Sequence, residues 1–185
     1  MIYLNYDMEG FDLEAALPLL SGQRREQCLK FKYEMGRKTC AAAYLLLCQA
    51  LREEYGIKEL PLFDYGEHGK PHLTGRPDIH FSLSHCRNGV LCAVSSQPVG
   101  ADIESFRSYR ESLVNYTMND AEQQQIRMAE RPDIEFVRLW TMKEAVLKRS
   151  GEGIQGRSMK DVLTGHETFE TVVSMEHQCV HTVVW

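Results

Sequence analysis

Two short spacings in this chain place acids where a phosphate and a cation could meet. Asp102 and Glu104 stand two apart in Gly100-Ala101-Asp102-Ile103-Glu104. Glu144 and Lys148 stand four apart in Trp140-Thr141-Met142-Lys143-Glu144-Ala145-Val146-Leu147-Lys148. On a strand the first pair shares a face, and on a helix the second pair lies about one turn apart. Each pair alone has an ordinary explanation: a solvated sheet edge, or an exposed helical ion pair worth about 0.3–0.5 kcal/mol. Together, Asp102, Glu104 and Glu144 make an oxygen-only donor set. Such a set suits Mg²⁺, which keeps waters and leaves room for substrate phosphates. Zinc would call for more His or Cys. Phosphate beside three acids also needs positive charge, for which Lys148, Lys70, Lys38, Arg37 and Arg24 are the candidates. The chemistry indicated is metal-assisted transfer or hydrolysis of a phosphate ester or anhydride. No Gly-rich Walker loop occurs, which argues against a P-loop nucleotidase.

The elements that must hold these residues can be read from pattern. Pro132 can take the first position of a helix, with Asp133 and Glu135 near its N-terminus and Gly151 as its stop. Phe136, Val137, Leu139, Trp140 and Leu147 recur at helical period along it. Ile79, Phe81 and Leu83 alternate with polar residues; residues 90–94 and 99–103 are two further candidate strands. Asn88-Gly89 predicts a hairpin turn, and Ser96-Gln97-Pro98 a second turn. In a meander the first and third of these strands run the same way. Their C-terminal ends then bring Ser84 and His85 to the same edge as Asp102 and Glu104.

The remaining segments read as support. Met1 to Tyr6 is a first strand, and Ser21 caps a helix carrying Arg24, Arg25 and Lys30. Arg37 and Lys38 follow in a short break. Residues 39–55 form a helix apolar around much of its circumference, hence buried. Gly66 to Leu73 is a turn-rich loop that confines Lys70 between Gly69 and Pro71. Arg107 to Asn115 is polar and irregular. Asn119 and Glu122 have the spacing of a capping box, opening a helix to about Ala129. Leu113, Tyr116 and Met118 are either buried anchors or a small apolar patch for a partner, with burial favoured. Residues 153–165 read as loop, and 168–175 and 179–185 as two strands. Both halves thus repeat helix, turn and β-rich segment, an α+β plan of two similar lobes with the acidic pair near their junction.

Composition limits the function classes. The 185 residues carry a formal charge of −5 and no Lys/Arg block, which sets nucleic acid aside as a partner. The six cysteines include no C-x-x-C pair and lie mostly in apolar segments, so they read as small buried hydrophobes. No charged-then-apolar signal opens the sequence, and the apolar run 41–48 is too short to span a bilayer. A soluble, reducing, cytoplasmic setting without membrane contact is expected.

Gly69-Lys70-Pro71, Phe81-Ser82-Leu83-Ser84-His85, Gly100-Ala101-Asp102-Ile103-Glu104 and the Trp140–Lys148 run occur in order along the chain. The set resembles the 4′-phosphopantetheinyl transferases of the pseudodimeric, surfactin-synthetase-associated type. The resemblance implies lobes at 1–98 and 99–185 with the site in the cleft between them, and a monomer. It implies transfer of 4′-phosphopantetheine from coenzyme A to a serine of an apo acyl or peptidyl carrier protein, releasing adenosine 3′,5′-bisphosphate. Asp102, Glu104 and Glu144 match the family's Mg²⁺ ligands, and Glu144 matches the residue that helps deprotonate the serine. Lys148 matches a pyrophosphate contact, Ser84 and His85 match coenzyme A contacts, and Lys70 matches a nucleotide contact. Arg24 and one of Arg37 or Lys38 fall where the family has basic phosphate ligands. Cys86 and Gln27 depart from the pattern, where Ser and a second basic residue are common. In the family the carrier docks beside the segment after the acidic pair, which makes Leu113, Tyr116 and Met118 candidate carrier contacts. The competing expectations are a catalytically silent coenzyme A or carrier-binding module, and a Mg²⁺-dependent phosphohydrolase.

Overall fold

The computed structural model describes residues 1–153 and 158–185. In chain order the elements are β1 (Ile2–Asn5), α1 (Leu13–Ala16), α2 (Gly22–Leu29), α3 (Glu34–Tyr55), β2 (Phe63–Tyr65), β3 (Pro71–Leu73), β4 (His80–Cys86) and β5 (Gly89–Ser95). They continue with β6 (Gly100–Ser105), α4 (Glu111–Thr117), α5 (Asp120–Met128), α6 (Pro132–Ser150), β7 (Phe169–Ser174) and β8 (Cys179–Val184). The class is α+β, as the sequence indicates.

Two antiparallel three-stranded sheets carry the architecture, in orders β1-β5-β4 and β6-β8-β7, with a small β2-β3 ribbon beside them. The hairpin forms with Cys86 paired to Gly89, so its turn residues are Arg87 and Asn88. The expected continuation into a meander does not occur, because β5 already has β1 on one edge and β4 on the other. β6 instead pairs with β8, with Asp102 opposite Thr182 and Glu104 opposite Val180. It still runs alongside β4, and in the same direction. The junction is made by side chains: Ser82 Oγ accepts from Ala101 N at 2.9 Å, and Ser84 Oγ accepts from Ile103 N at 3.2 Å. Both partners advance together by two residues, as parallel strands require.

Each sheet buries one long helix. Helix α3 covers β4 and β5, and α6 covers β6 and β8. Leu91, Ala93, Ala101, Ile103 and Val183 fill the space between the two sheets. Helix α3 begins at Glu34, five residues before the expected start, so Arg37 and Lys38 lie in its first turns rather than in a break. Its N-cap is Tyr33, which makes no capping hydrogen bond, so the usual start signal is absent from the sequence. Helix α4 replaces the irregular segment expected after Arg107 and likewise starts without a side-chain cap. The capping box at Asn119 and Glu122 is present in both directions, at 3.0 and 2.8 Å. The two C-terminal strands form within the expected ranges. Of the loop expected over 153–165, residues 154–157 lie outside the described residues, and Met159–Asp161 makes a 3-10 turn.

Helix α6 starts with Pro132, carries Asp133 and Glu135 in its first turn, and stops where Gly151 turns left-handed at φ 76°. Its seat on β6 depends on a residue with no side chain. A Cβ on Gly100 would stand 1.9 Å from the Ala145 carbonyl oxygen and 2.6 Å from Arg149 N. The absence of that atom lets the strand bearing Asp102 and the helix bearing Glu144 approach closely.

Candidate active site

Strand period puts Asp102 and Glu104 on the α6 side of β6, and helical period puts Glu144 and Lys148 on the β6 side of α6. With Ser84 and His85 at the end of β4, they line one groove of about 330 Å³, together with Leu83 and Trp140. A second cavity of about 250 Å³ shares Leu83, Glu144 and Lys148 with it. That cavity continues past His68, Lys70, Pro71, Phe81 and Gly151. The first chamber is acidic and polar; the second is walled largely by apolar groups, with Lys70 at its rim.

The buried Asp102 is the fixed point. Its Oδ1 accepts from Ser84 Oγ at 2.7 Å and from Lys148 Nζ at 2.7 Å. Lys148 Nζ also donates to Ser84 Oγ at 2.9 Å. Asp102 Oδ2 is buried with no hydrogen-bond partner. A buried carboxylate oxygen without a donor is costly unless a ligand completes it. Glu104 and Glu144 both have pKa values raised above the ordinary 4.5, first by burial and then by the charge of Asp102. Lys148 opposes the rise at both, and Arg107 at Glu104. Three carboxylates thus share the groove lining with one lysine ammonium.

Those oxygens suit a hard divalent cation in type, and the unpartnered Oδ2 leaves an open donor. Their present arrangement is not a closed coordination shell. Among the described residues no group of three His, Cys, Asp or Glu side chains stands in metal-holding geometry. Lys148 is paired with Asp102 instead.

Among the basic residues, the structure separates near from far. Lys70 Nζ donates to the Arg149 carbonyl oxygen at 2.7 Å, which ties the β2–β3 loop to the C-terminus of α6. Burial, then the charge of Arg149, lowers its pKa from 10.5. His85 is exposed overall, but desolvation of its ring and the charges of Lys148 and Arg24 pull its pKa below 6.5, with Asp102 opposing. The Arg24 guanidinium holds Gln27 Oε1 and the Cys40 carbonyl, each at 3.0 Å, its Nε is buried without a partner, and it lines neither cavity among the described residues. Arg37 Nε donates to the Phe31 carbonyl at 2.8 Å, and Lys38 Nζ to the Glu9 carbonyl at 3.2 Å. Neither lines either cavity among the described residues.

Two groups at the groove were not singled out from sequence. Trp140 lines it with an indole N–H that is buried and unpartnered. Arg107 lies over the Trp140 ring, 5.5 Å from its centroid. The signal for Trp140 was its place one helical turn before Glu144; Arg107 had none, being one charge in a polar stretch. Lys143 was also passed over. It is fully buried, 2.8 Å from Glu122 Oε1 and 2.7 Å from the Met159 carbonyl, and pins α6 from the side opposite the groove. Of the three apolar residues before α5, Met118 is fully buried and Leu113 partly, whereas Tyr116 is 75 % exposed.

Known proteins share sequence with this chain. Residues 98–179, which contain the acidic pair and the whole of α6, match the 4′-phosphopantetheinyl transferase superfamily. The 4′-phosphopantetheinyl transferase Sfp of Bacillus subtilis is 26 % identical over 156 residues, spanning 83 % of this chain and 70 % of that protein. The 4′-phosphopantetheinyl transferase HetI of Nostoc is 32 % identical over 157 residues, 80 % of this chain and 66 % of its own. The AcpT transferase of Salmonella typhimurium is 35 % identical over 122 residues, 62 % of this chain and 59 % of its own. The chain belongs to the 4′-phosphopantetheinyl transferase superfamily.

Proposed function

We propose that this chain transfers the 4′-phosphopantetheine arm of coenzyme A to a serine hydroxyl of an apo acyl or peptidyl carrier protein. Adenosine 3′,5′-bisphosphate leaves. The observation that carries the reading is the juxtaposition of three carboxylates and Lys148 beside a second, largely apolar cavity, in a chain related to such transferases. The polar chamber suits the pyrophosphate and the apolar one an organic arm or base.

Asp102, Glu104 and Glu144 would hold Mg²⁺, which when bound offsets charge on the pyrophosphate. Glu144 faces both chambers, which places a carboxylate where the incoming serine can give up its proton, directly or through water. Lys148 stabilises negative charge on the phosphates once its ammonium leaves Asp102. His85 at the groove and Lys70 at the second cavity orient the nucleotide phosphates, with Arg24 a further candidate. One of Arg37 or Lys38 reaches the 3′-phosphate only if its present hydrogen bond to the backbone opens. Tyr116 is the candidate carrier contact that remains exposed. Residues 1–98 and 99–185 are read as two similar lobes, each a long helix on a three-stranded antiparallel sheet, in a cytoplasmic monomer. Among the described residues no helix is long and apolar enough to cross a membrane.

The test follows release of adenosine 3′,5′-bisphosphate by wild type and Glu144→Gln, with and without apo carrier. Release that needs carrier and falls at least about 10²-fold in the variant fits a base acting in the transfer step. Release from coenzyme A without carrier would point to a hydrolase; full activity of the variant would remove Glu144 from the mechanism.

A further inference from the structure

Ser84 stands where the resemblance calls for a coenzyme A contact, but its hydroxyl has little left to offer a ligand. A serine hydroxyl has one hydrogen to give and two lone pairs. Here the hydrogen goes to Asp102 Oδ1 at 2.7 Å, and the lone pairs receive Ile103 N at 3.2 Å and Lys148 Nζ at 2.9 Å. The side chain is 5 % exposed. Ser82, two residues earlier, makes the equivalent backbone contact to Ala101 N at 2.9 Å but touches neither Asp102 nor Lys148 by hydrogen bond. No backbone ladder joins β4 to β6 among the described residues; the serines take its place.

We propose that Ser84 is a positioning residue: its hydroxyl fixes the rotamer of Asp102 and the resting place of Lys148, and so presets Asp102 Oδ2 for the cation. The physical reason is the shape of the network. Asp102 Oδ1 is held by a hydroxyl and an ammonium, so the carboxylate cannot rotate without breaking both. The free oxygen is thereby held in the groove. Groups that hydrogen-bond a metal-ligating carboxylate typically contribute 10–100-fold to metal affinity or activity. Ser82 serves the seam alone, which makes it the internal control.

The claim rests on the proposed metal set, and the test separates the two. Mg²⁺ is titrated calorimetrically into wild type, Ser84→Ala, Ser84→Thr and Ser82→Ala; coenzyme A is titrated separately in EDTA. Expected for Ser84→Ala is cation affinity at least about tenfold weaker, with coenzyme A affinity in EDTA within about twofold of wild type. Ser84→Thr, which keeps the hydroxyl, recovers cation affinity. Ser82→Ala loses thermal stability while its cation affinity stays near wild type. In turnover, kcat falls for Ser84→Ala and the KM for coenzyme A stays near wild type. A Ser84→Ala chain that binds Mg²⁺ normally but loses coenzyme A affinity would overturn the proposal and make Ser84 a nucleotide ligand. Equal loss of cation affinity in both serine variants would overturn it too, as loosening of the seam. If wild type binds no Mg²⁺, the metal set itself fails and this claim falls with it. If Ser84→Ala does not fold, Ser84→Cys takes its place with the same expected split.

Discussion

Gly100→Ala tests whether the site is built by the approach of β6 to α6. A Cβ at Gly100 would lie 1.9 Å from the Ala145 carbonyl oxygen, 2.6 Å from Arg149 N and 2.8 Å from Arg149 Cβ. Two of those three atoms are backbone, so no rotamer change relieves the clash. Ordinary contact begins near 3.4 Å, so strand and helix must separate by about 1.5 Å. Overpacking of this kind costs about 1–3 kcal/mol. For a chain of this size that lowers Tm by roughly 2–12 °C. The separation acts between the strand carrying Asp102 and the helix carrying Glu144 and Lys148. A 1 Å misplacement around reacting groups costs on the order of 10²-fold in rate. Scanning calorimetry and initial rates of carrier modification would show both losses together. A variant with wild-type Tm and wild-type rate would refute the reasoning, because the groove would then tolerate a gap the structure does not have.

Lys143→Met removes a fully buried ammonium from Glu122 and from the Met159 carbonyl; breaking such a pair costs about 3–5 kcal/mol, and urea unfolding should show it. Adding Glu122→Gln should recover part of that loss, whereas a single variant within about 1 kcal/mol of wild type would mean the pair is hydrated. Glu104 and Glu144 bind protons more tightly in the fold than at their ordinary 4.5, so their contribution is present at low pH and lost as pH rises through 4.5 toward the raised values. In EDTA, Tm should therefore decline over that range; Mg²⁺ at about a hundred times its dissociation constant should add about 2.7 kcal/mol at neutral pH. A Tm indifferent to Mg²⁺ at neutral pH contradicts the proposed metal set. Tyr116→Ala should raise the KM for carrier without altering Tm, and Met118→Ala should cost about 2–5 kcal/mol of stability, since Met118 is a buried anchor. Unchanged carrier KM in the first variant would move the docking face elsewhere.

The sequence made some of this legible and hid the rest for physical reasons. Helix α6 announced itself through Pro132, its acidic first turn and Gly151, and the capping box marked α5. Helix α3 starts ahead of its expected range and α4 stands where no helix is expected; Tyr33 and Arg110 make no capping bond, so nothing in their types marks a start. The convergence of Ser84, His85, Asp102 and Glu104 holds because β4 and β6 run the same way, although the meander that suggests it does not form. How β4 meets β6 was not legible, because a serine seam has no sequence period distinct from an alternating strand. Lys70 and Lys148 were found by type and spacing. Their present partners, the Arg149 carbonyl and Asp102, are long-range contacts that local pattern cannot give. Lys143 looked like one more charged residue on a helix; only packing shows that α5 and the 159–161 turn close over it.

The most direct measurement is the intact mass of an apo carrier protein after incubation with this chain, coenzyme A and Mg²⁺, with a parallel EDTA control. The account predicts a gain of one phosphopantetheine that EDTA abolishes. No gain on fatty-acid, polyketide or peptidyl carriers, in a preparation that binds coenzyme A, would contradict it.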